Sequence, residues 1–484
     1  MDDPVGPDDL LVVDGLDVAT GTYLTPPTAL GDLAAALRDA PVPGGGDERR
    51  LRRRSQADER HLGVTVGFDA DDLGSVGWGI VTAPDVDAAV LAALEPLLAR
   101  RRQQAGDRFR HLVVEDGEDA DTFLVRYGAT PTVVDPRVVP YYLLLVGGPG
   151  ALPFDLQYQL GVAYAVGRLD LPDAAAYAAY AASVLAAEDR DAAAAAAQHG
   201  ARSARLFGPR NPDDTATDLS SRLLLAPLLD EVGRSASAWS VAADAGEPAT
   251  KQRLRTLLHA PDGPDVLFTA SHGLGGPQAT ALGLGGALVC QDWPGPVQQR
   301  GPLTPAQYLA ATDVDAAAPV RPRVVLAFAC YGAGTPRYSD YPAGPGATLV
   351  EIAAQDATAP LPARLLGHPA GGALAFVGHV DRTWSCAFLW HGTTAQTGAF
   401  RGALLGLLDG RRVGHALEDL TSRYASLATL LTARIDASER LGKPFPDADL
   451  VALWTAVHDA RGLVVLGDPA VRAAPPGAGG LVPL

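Results

Sequence analysis

Val266-Leu267-Phe268-Thr269-Ala270-Ser271-His272-Gly273 and, further along, Val324-Val325-Leu326-Ala327-Phe328-Ala329-Cys330-Tyr331-Gly332 are two apolar runs that each end on a residue able to do chemistry. Short runs of this kind suit strands buried on both faces of a parallel sheet. Between them, Leu303-Thr304-Pro305-Ala306-Gln307-Tyr308-Leu309 reads as a helix start, with Thr304 as cap and Pro305 in the first turn. A strand, a crossover with a helix and a parallel strand put His272 and Cys330 on one sheet edge. That edge, beyond the carboxyl ends of the strands, is where open α/β sheets bind ligands. An imidazole and a thiol there are the two groups a cysteine hydrolase needs.

Outward from this pair the same pattern recurs. Tyr141-Tyr142-Leu143-Leu144-Leu145-Val146-Gly147-Gly148 reads as a buried strand, and Val162-Ala163-Tyr164-Ala165-Val166-Gly167-Arg168 as a strand or strand edge. Pro172-Asp173 opens an alanine-rich helix running to about Gln198, and Asp218 and Thr250 begin further helices. Gly372-Ala373-Leu374-Ala375-Phe376-Val377-Gly378 and Leu463-Val464-Val465-Leu466-Gly467-Asp468-Pro469 complete the apolar runs. Near the start come Leu10-Leu11-Val12-Val13 and a helix over Leu30–Arg38, and residues 86–104 form an amphipathic helix ending in Arg100-Arg101-Arg102. Strands alternating with helices define an α/β protein, and no solenoid-type repeat is visible.

At 484 residues, with 47% hydrophobic residues, the chain can fill more than one domain-sized core. A net charge of −17 argues against nucleic-acid partners and weakly favours basic peptides. Only Lys251 and Lys443 are lysines, an arginine bias that suggests a GC-rich coding sequence. Met1-Asp2-Asp3-Pro4 lacks the basic and apolar stretches of a secretory signal, and no apolar run is of bilayer length. Cys290, Cys330 and Cys386 are too few for a disulfide framework. A cytoplasmic protein with free thiols and no membrane partner is expected.

In this reading Cys330 attacks a carbonyl as its thiolate, and His272 promotes thiolate formation or protonates the leaving amine. The backbone N–H groups of Gly273 and Cys330 would face the developing oxyanion. Ser271 alternates away from His272 on an extended segment and is a poor nucleophile for it. Gly283-Leu284-Gly285-Gly286 does not follow a dinucleotide-binding pattern. His379, His391 and His415 lack zinc-like companions, so no metal or cofactor is expected.

A strand ending in His272-Gly273 and another ending in Ala329-Cys330 resemble the caspase-fold cysteine peptidases, and within them the gingipain-like family. The likeness extends to Tyr142–Gly147 with Pro153, to Tyr164–Arg168, and to Leu466-Gly467-Asp468-Pro469, and covers about residues 140–472. Gly147-Gly148-Pro149 departs from it, because many relatives carry an acid after the glycine. The resemblance implies a caspase-like, mostly parallel sheet flanked by helices and an endopeptidase acting on protein substrates. It also implies an N-terminal α/β subdomain over 1–200 and a catalytic domain over 201–484.

By the same resemblance Asp218 stands where arginine-specific members carry the carboxylate at the pocket base, although it would also serve as a plain helix cap. Trp384 matches the tryptophan of the pocket wall. Asp214, Asp340 and Asp381 are alternative carboxylates. An aromatic wall and a carboxylate would hold a guanidinium, so cleavage after a basic residue, arginine above lysine, is expected. Residues 41–60, with Gly44-Gly45-Gly46 and Arg49, Arg50, Arg52, Arg53 and Arg54, read as an exposed linker that would itself be a substrate for self-cleavage. The resemblance further implies control by processing, a partner protein or a ligand, and by family analogy a bacterial defence or cell-death role. A scaffold that has lost activity, or a peptidase with acidic specificity, are the competing readings.

Overall fold

Ten apolar strands pair into a single sheet in the computed structural model of the chain. It describes residues 10–11, 15–24, 28–29, 63–130, 134–197, 202–341, 350–390, 395–443 and 445–480. The helix expected near Leu30–Arg38, the arginine-rich linker at 41–60 and His391 lie outside the described residues.

In chain order the strands are β1 (Trp78–Thr82), β2 (Phe109–Val113), β3 (Tyr142–Val146), β4 (Ala165–Leu169), β5 (Arg202–Gly208), β6 (Trp239–Ala245), β7 (Val266–Ala270), β8 (Val324–Phe328), β9 (Ala375–His379) and β10 (Leu463–Gly467). Their order across the sheet is β2-β1-β3-β4-β10-β9-β8-β7-β5-β6. Every neighbouring pair is parallel except β9 and β10, which run antiparallel from Ala375↔Gly467 to His379↔Leu463. The sheet is therefore two parallel halves facing opposite ways, and their carboxyl ends lie on opposite edges. Strands β1, β3, β4, β7, β8 and β9 are buried along their whole length, as unbroken apolar runs require. Helices flank the sheet, as expected from the sequence.

The last strand joins the halves. Val465 and Leu466 of β10 pair with Gly167 and Arg168 of β4, while the other side of β10 pairs with β9. Asp468, one residue beyond β10, is fully buried. Its carboxylate accepts hydrogen bonds from Trp78 Nε1 at 2.9 Å and from Arg101 Nε at 2.8 Å. Arg101 lies near the end of helix α1 (Ala88–Ala105) and pairs also with Glu188 of helix α2 (Ala174–Ala197), at 2.5 Å. The arginine run expected to serve the helix end thus includes a residue turned into the core to meet two carboxylates.

Between β7 and β8 the expected helix at Thr304 is a single 3-10 turn, Pro305–Gln307. Thr304 and Gln307 do form a capping box, but Tyr308–Leu309 then pairs antiparallel with Leu288–Val289. Those segments belong to a small four-stranded sheet with Gly273–Gly275 and Gly15–Asp17. Strand pairing wins because one turn of helix offers too few hydrogen bonds to repay its nucleation. Thr250, by contrast, caps Lys251–His259 as expected. Among the described residues no helix is long and apolar enough to cross a membrane.

Removing the Asp468 carboxylate leaves a buried guanidinium short of one partner and an indole N–H without an acceptor. Asp468→Ala should cost about 3–5 kcal/mol of unfolding free energy, the scale for a broken buried ion pair. Urea denaturation followed by fluorescence checks this; a loss below about 1 kcal/mol would rank the contact with exposed ion pairs.

Candidate active site

Ala270 of β7 lies directly opposite Phe328 of β8, so the residues two positions beyond, His272 and Cys330, leave the sheet side by side. Both are fully buried. The next residue brings the two chains into contact at backbone level. A Cβ built on Gly273 would stand 1.9 Å from the Cys330 carbonyl oxygen and 3.1 Å from its nitrogen, which no side chain tolerates. Glycine here is what lets the imidazole-bearing segment lie against the thiol-bearing one.

Beyond Cys330 the backbone is strained. Tyr331 has φ +58° and Asp381 has φ +67°, in the left-handed region that costs non-glycine residues on the order of 1 kcal/mol or more. The two are tied together by Tyr331 N–H donating to Asp381 O at 2.7 Å. This arrangement brings Thr383 over the sulfur, and its N–H donates to Cys330 Sγ at 3.2 Å. Trp384 follows, fully buried in the apolar cluster that also holds Cys330, Tyr331 and Tyr341. Its ring lies 5.1 Å from that of Tyr341.

Behind the imidazole stands Asp214. Its Oδ2 is 2.9 Å from His272 Nε2, and both side chains are fully buried. The same carboxylate accepts from Thr217 N at 3.1 Å as N-cap of helix α3 (Thr215–Leu219), and from the Tyr23 hydroxyl. Burial works against its charge. The His272 ring and the hydrogen bonds from His272, Thr217 and Tyr23 outweigh that and take its pKa from the ordinary 3.8 down to about 2. An ionised Asp214 favours the tautomer with the proton on Nε2, the nitrogen that faces it. Trp293 meets the His272 ring edge-on at 5.4 Å and further fixes its plane.

The carboxylates considered for the pocket go to different places. Asp218 does not open a helix: α3 begins at Thr215, because Asp214 is the residue whose side chain caps it. Asp218 sits one turn later, part-exposed, bonded to Arg210 at 2.6 Å and Arg222 at 2.7 Å. Asp340 pairs with Arg461 at 2.5 Å. Asp381 is buried, accepts from Ser339 Oγ at 2.9 Å and Asp340 N at 3.0 Å through Oδ2, and has no hydrogen-bond partner on Oδ1 among the described residues. Burial raises its pKa to about 6. Ser271 Oγ points back toward the His272 carbonyl at 3.4 Å, away from a nucleophile's place. Among the described residues no group of three or more His, Cys, Asp and Glu side chains is placed to hold a metal.

The role of Asp214 beside the imidazole is not apparent from the sequence reading, although its signal is present. Asp214 follows β5, and β5 neighbours β7, so both segments emerge on the same edge. Thr383 and Tyr23 have no comparable signal.

No protein-family model and no curated protein matches the sequence. Among solved structures, one described as a protease superposes with TM-score 0.48 over 83% of this chain and 79% of its own, at 12% identity. The Arg-specific cysteine proteinase gingipain R of Porphyromonas gingivalis gives 0.37 over 82% and 78%, at 11% identity. The Saccharomyces cerevisiae separase–securin complex gives 0.28 over 68% and 16%, at 9% identity. At such scores the chemistry of the site rests on its own geometry.

The folded pKa of Asp214 lies below its unfolded value, so its contribution to stability is complete above pH 4 and is lost as pH falls toward 2. That contribution is worth roughly 2 kcal/mol. Stability measured by urea titration from pH 5 downward should fall less steeply in Asp214→Asn than in wild type. Equal slopes would show that the carboxylate is not held by the imidazole.

Proposed function

We propose that this chain is a cysteine endopeptidase in which Cys330 is the nucleophile, His272 the general acid and base, and Asp214 the carboxylate that orients His272. The observation that carries this reading is that His272 and Cys330 follow the ends of adjacent parallel strands side by side, with the Asp214 carboxylate 2.9 Å from the imidazole. In the reaction His272 accepts the Cys330 proton, and Sγ adds to the scissile carbonyl carbon. The tetrahedral oxyanion is met by the N–H groups of Gly273 and Cys330, each worth roughly 3–4 kcal/mol where such donors are aligned. Collapse breaks the C–N bond, and the His272 proton leaves with the amine. Water, deprotonated by His272, then releases the acid from the thioester and restores Cys330.

For specificity we carry forward a basic residue, arginine before lysine, on the amino side of the cut. Of the four candidate carboxylates, Asp381 best fits this role, with a buried acceptor oxygen unused and Trp384 three residues away. Asp218, held by Arg210 and Arg222, is the weaker candidate. One observation favours a second reading. Arg382, whose charge interacts with Tyr331 and Asp381 and then with Cys330, donates to the Tyr331 hydroxyl at a long 3.4 Å and makes no ion pair within 4 Å among the described residues. A substrate carboxylate would satisfy it, which is the acidic specificity. Protein substrates and self-cleavage within Arg49–Arg54 complete the proposal. Regulation by processing or a partner fits an enzyme that would otherwise cut its neighbours.

A fluorogenic panel with Arg, Lys, Asp or Leu before the reporter tests it against Cys330→Ala. Arg-selective turnover that falls at least about 1,000-fold in the variant is expected. Asp-selective turnover would move specificity to Arg382, and turnover retained by the variant would remove Cys330 from the mechanism. Intact mass of the two proteins tests self-processing: wild type should show a break between Arg49 and Arg54 that Cys330→Ala lacks. Identical full-length masses would end that part of the proposal.

A further inference from the structure

The cleft already has an occupant. Gly15–Asp17 pairs in parallel with Gly273–Gly275, the segment that leaves His272, in the register Gly15↔Gly273, Leu16↔Leu274 and Asp17↔Gly275. The chain then turns back on itself. Asp17 N–H donates to Thr22 O at 2.9 Å, Leu16 bridges Tyr23, and Leu24 N–H donates to Gly15 O at 3.0 Å. Asp17 Oδ1 accepts from Ala19 N and Thr20 N and tightens the turn. Residues 15–24 thus form a small hairpin laid into the site.

Each member of the site meets it. A Cβ built on Gly15 would stand 3.3 Å from Cys330 Sγ, so the Gly15 backbone lies over the sulfur itself. Leu24 packs on the apolar cluster that holds Cys330, Tyr341 and Trp384. The Tyr23 hydroxyl donates to Asp214, and its ring lies 5.7 Å from that of His272. Leu16, fully buried, anchors the hairpin in a second apolar cluster with Leu274, Val289 and Trp293. A reacting carbonyl carbon has to come within about 3–3.5 Å of the nucleophile. Gly15 and Leu24 hold that space, and the thiol and imidazole are both sealed from solvent.

We infer that the hairpin Gly15–Leu24 is an in-chain inhibitor that restrains Cys330 to a low basal activity, and that displacing it opens the site and raises that activity. The inference rests on the peptidase reading for what the opened site does, but not for the covering itself. A hairpin this short is marginal alone. Its hold depends on what the cleft supplies, namely the Leu16 anchor, the Gly273 edge and the Asp214 acceptor. A partner that competes for that edge, or loss of the anchor, would release it.

Full-length protein and two variants test this by alkylation with iodoacetamide, read at each cysteine by peptide mass mapping. Leu16→Asp removes the anchor away from the sulfur; Gly15→Val pushes a side chain into it. Cys290 and Cys386, both buried, report on the rest of the fold. Cys330 labelling should rise about tenfold or more in both variants while the other two stay protected, as local opening predicts. Peptide hydrolysis should rise with it. Wild-type Cys330 labelling as fast as the variants would overturn the inference, as would loss of protection at all three cysteines in both variants, which makes the hairpin part of the core. An opened, alkylatable Cys330 without hydrolysis would uphold the inhibitor and sink the peptidase.

Discussion

The contact between Gly273 and the Cys330 backbone is the constraint on which the site depends. Parallel neighbours in a sheet are about 4.8 Å apart, and beyond the last ladder pair chains usually diverge. Here they converge, because position 273 has no side chain to keep them apart. The residue before it, His272, thereby leaves its strand beside Cys330. The convergence is reinforced from the far side, where Tyr331 and Asp381 adopt left-handed backbone and are joined by a hydrogen bond. Strain of that kind persists only where surrounding structure over-determines it. The packed aromatic cluster of Tyr331, Tyr341 and Trp384 supplies that determination.

A sheet made of two opposed halves explains why the site has one edge to itself. Strands β5, β7, β8 and β9 all deliver their carboxyl ends to it, and with them Asp214, His272, Cys330 and the Asp381–Trp384 loop. The other half sends its carboxyl ends the opposite way, away from these residues. Its grip on the site half runs through β10, and the buried Asp468 fastens that strand to β1 and α1. The antiparallel seam between β9 and β10 joins the two halves into one sheet.

Much of this was legible in the sequence, for identifiable reasons. Runs such as 142–146, 266–270, 324–328, 375–379 and 463–467 are apolar almost throughout, so they announce buried strands whatever their neighbours. The His–Cys pair followed from strand ends alone. The turn at Thr304 misled because its cap chemistry is genuine, and only the distant partner Leu288–Val289 decides that Tyr308 is a strand. Asp218 misled for the opposite reason. Local sequence allows either Asp214 or Asp218 to cap, and the choice is made by His272, fifty-eight positions away in the chain and adjacent in the fold. The hairpin at 15–24 was invisible, since nothing in Gly15-Leu16-Asp17 says which edge it joins.

Two buried aspartates show how the same surroundings set different tasks. Asp214 and Asp381 are both removed from water, which by itself raises a carboxyl pKa. Asp214 meets an imidazole and two hydroxyls, and these bring it to about 2. Asp381 rises to about 6 because burial, with the charge of Asp340, outweighs the neighbouring Arg382 and the hydrogen bonds on its one bonded oxygen. The first is therefore held as the anion at neutral pH, suited to fixing the ring that donates to it. The second is raised toward neutrality although Arg382 already lies beside it. Separation of this kind between like groups is how one site keeps an orienting charge and an adjustable one within the same buried shell.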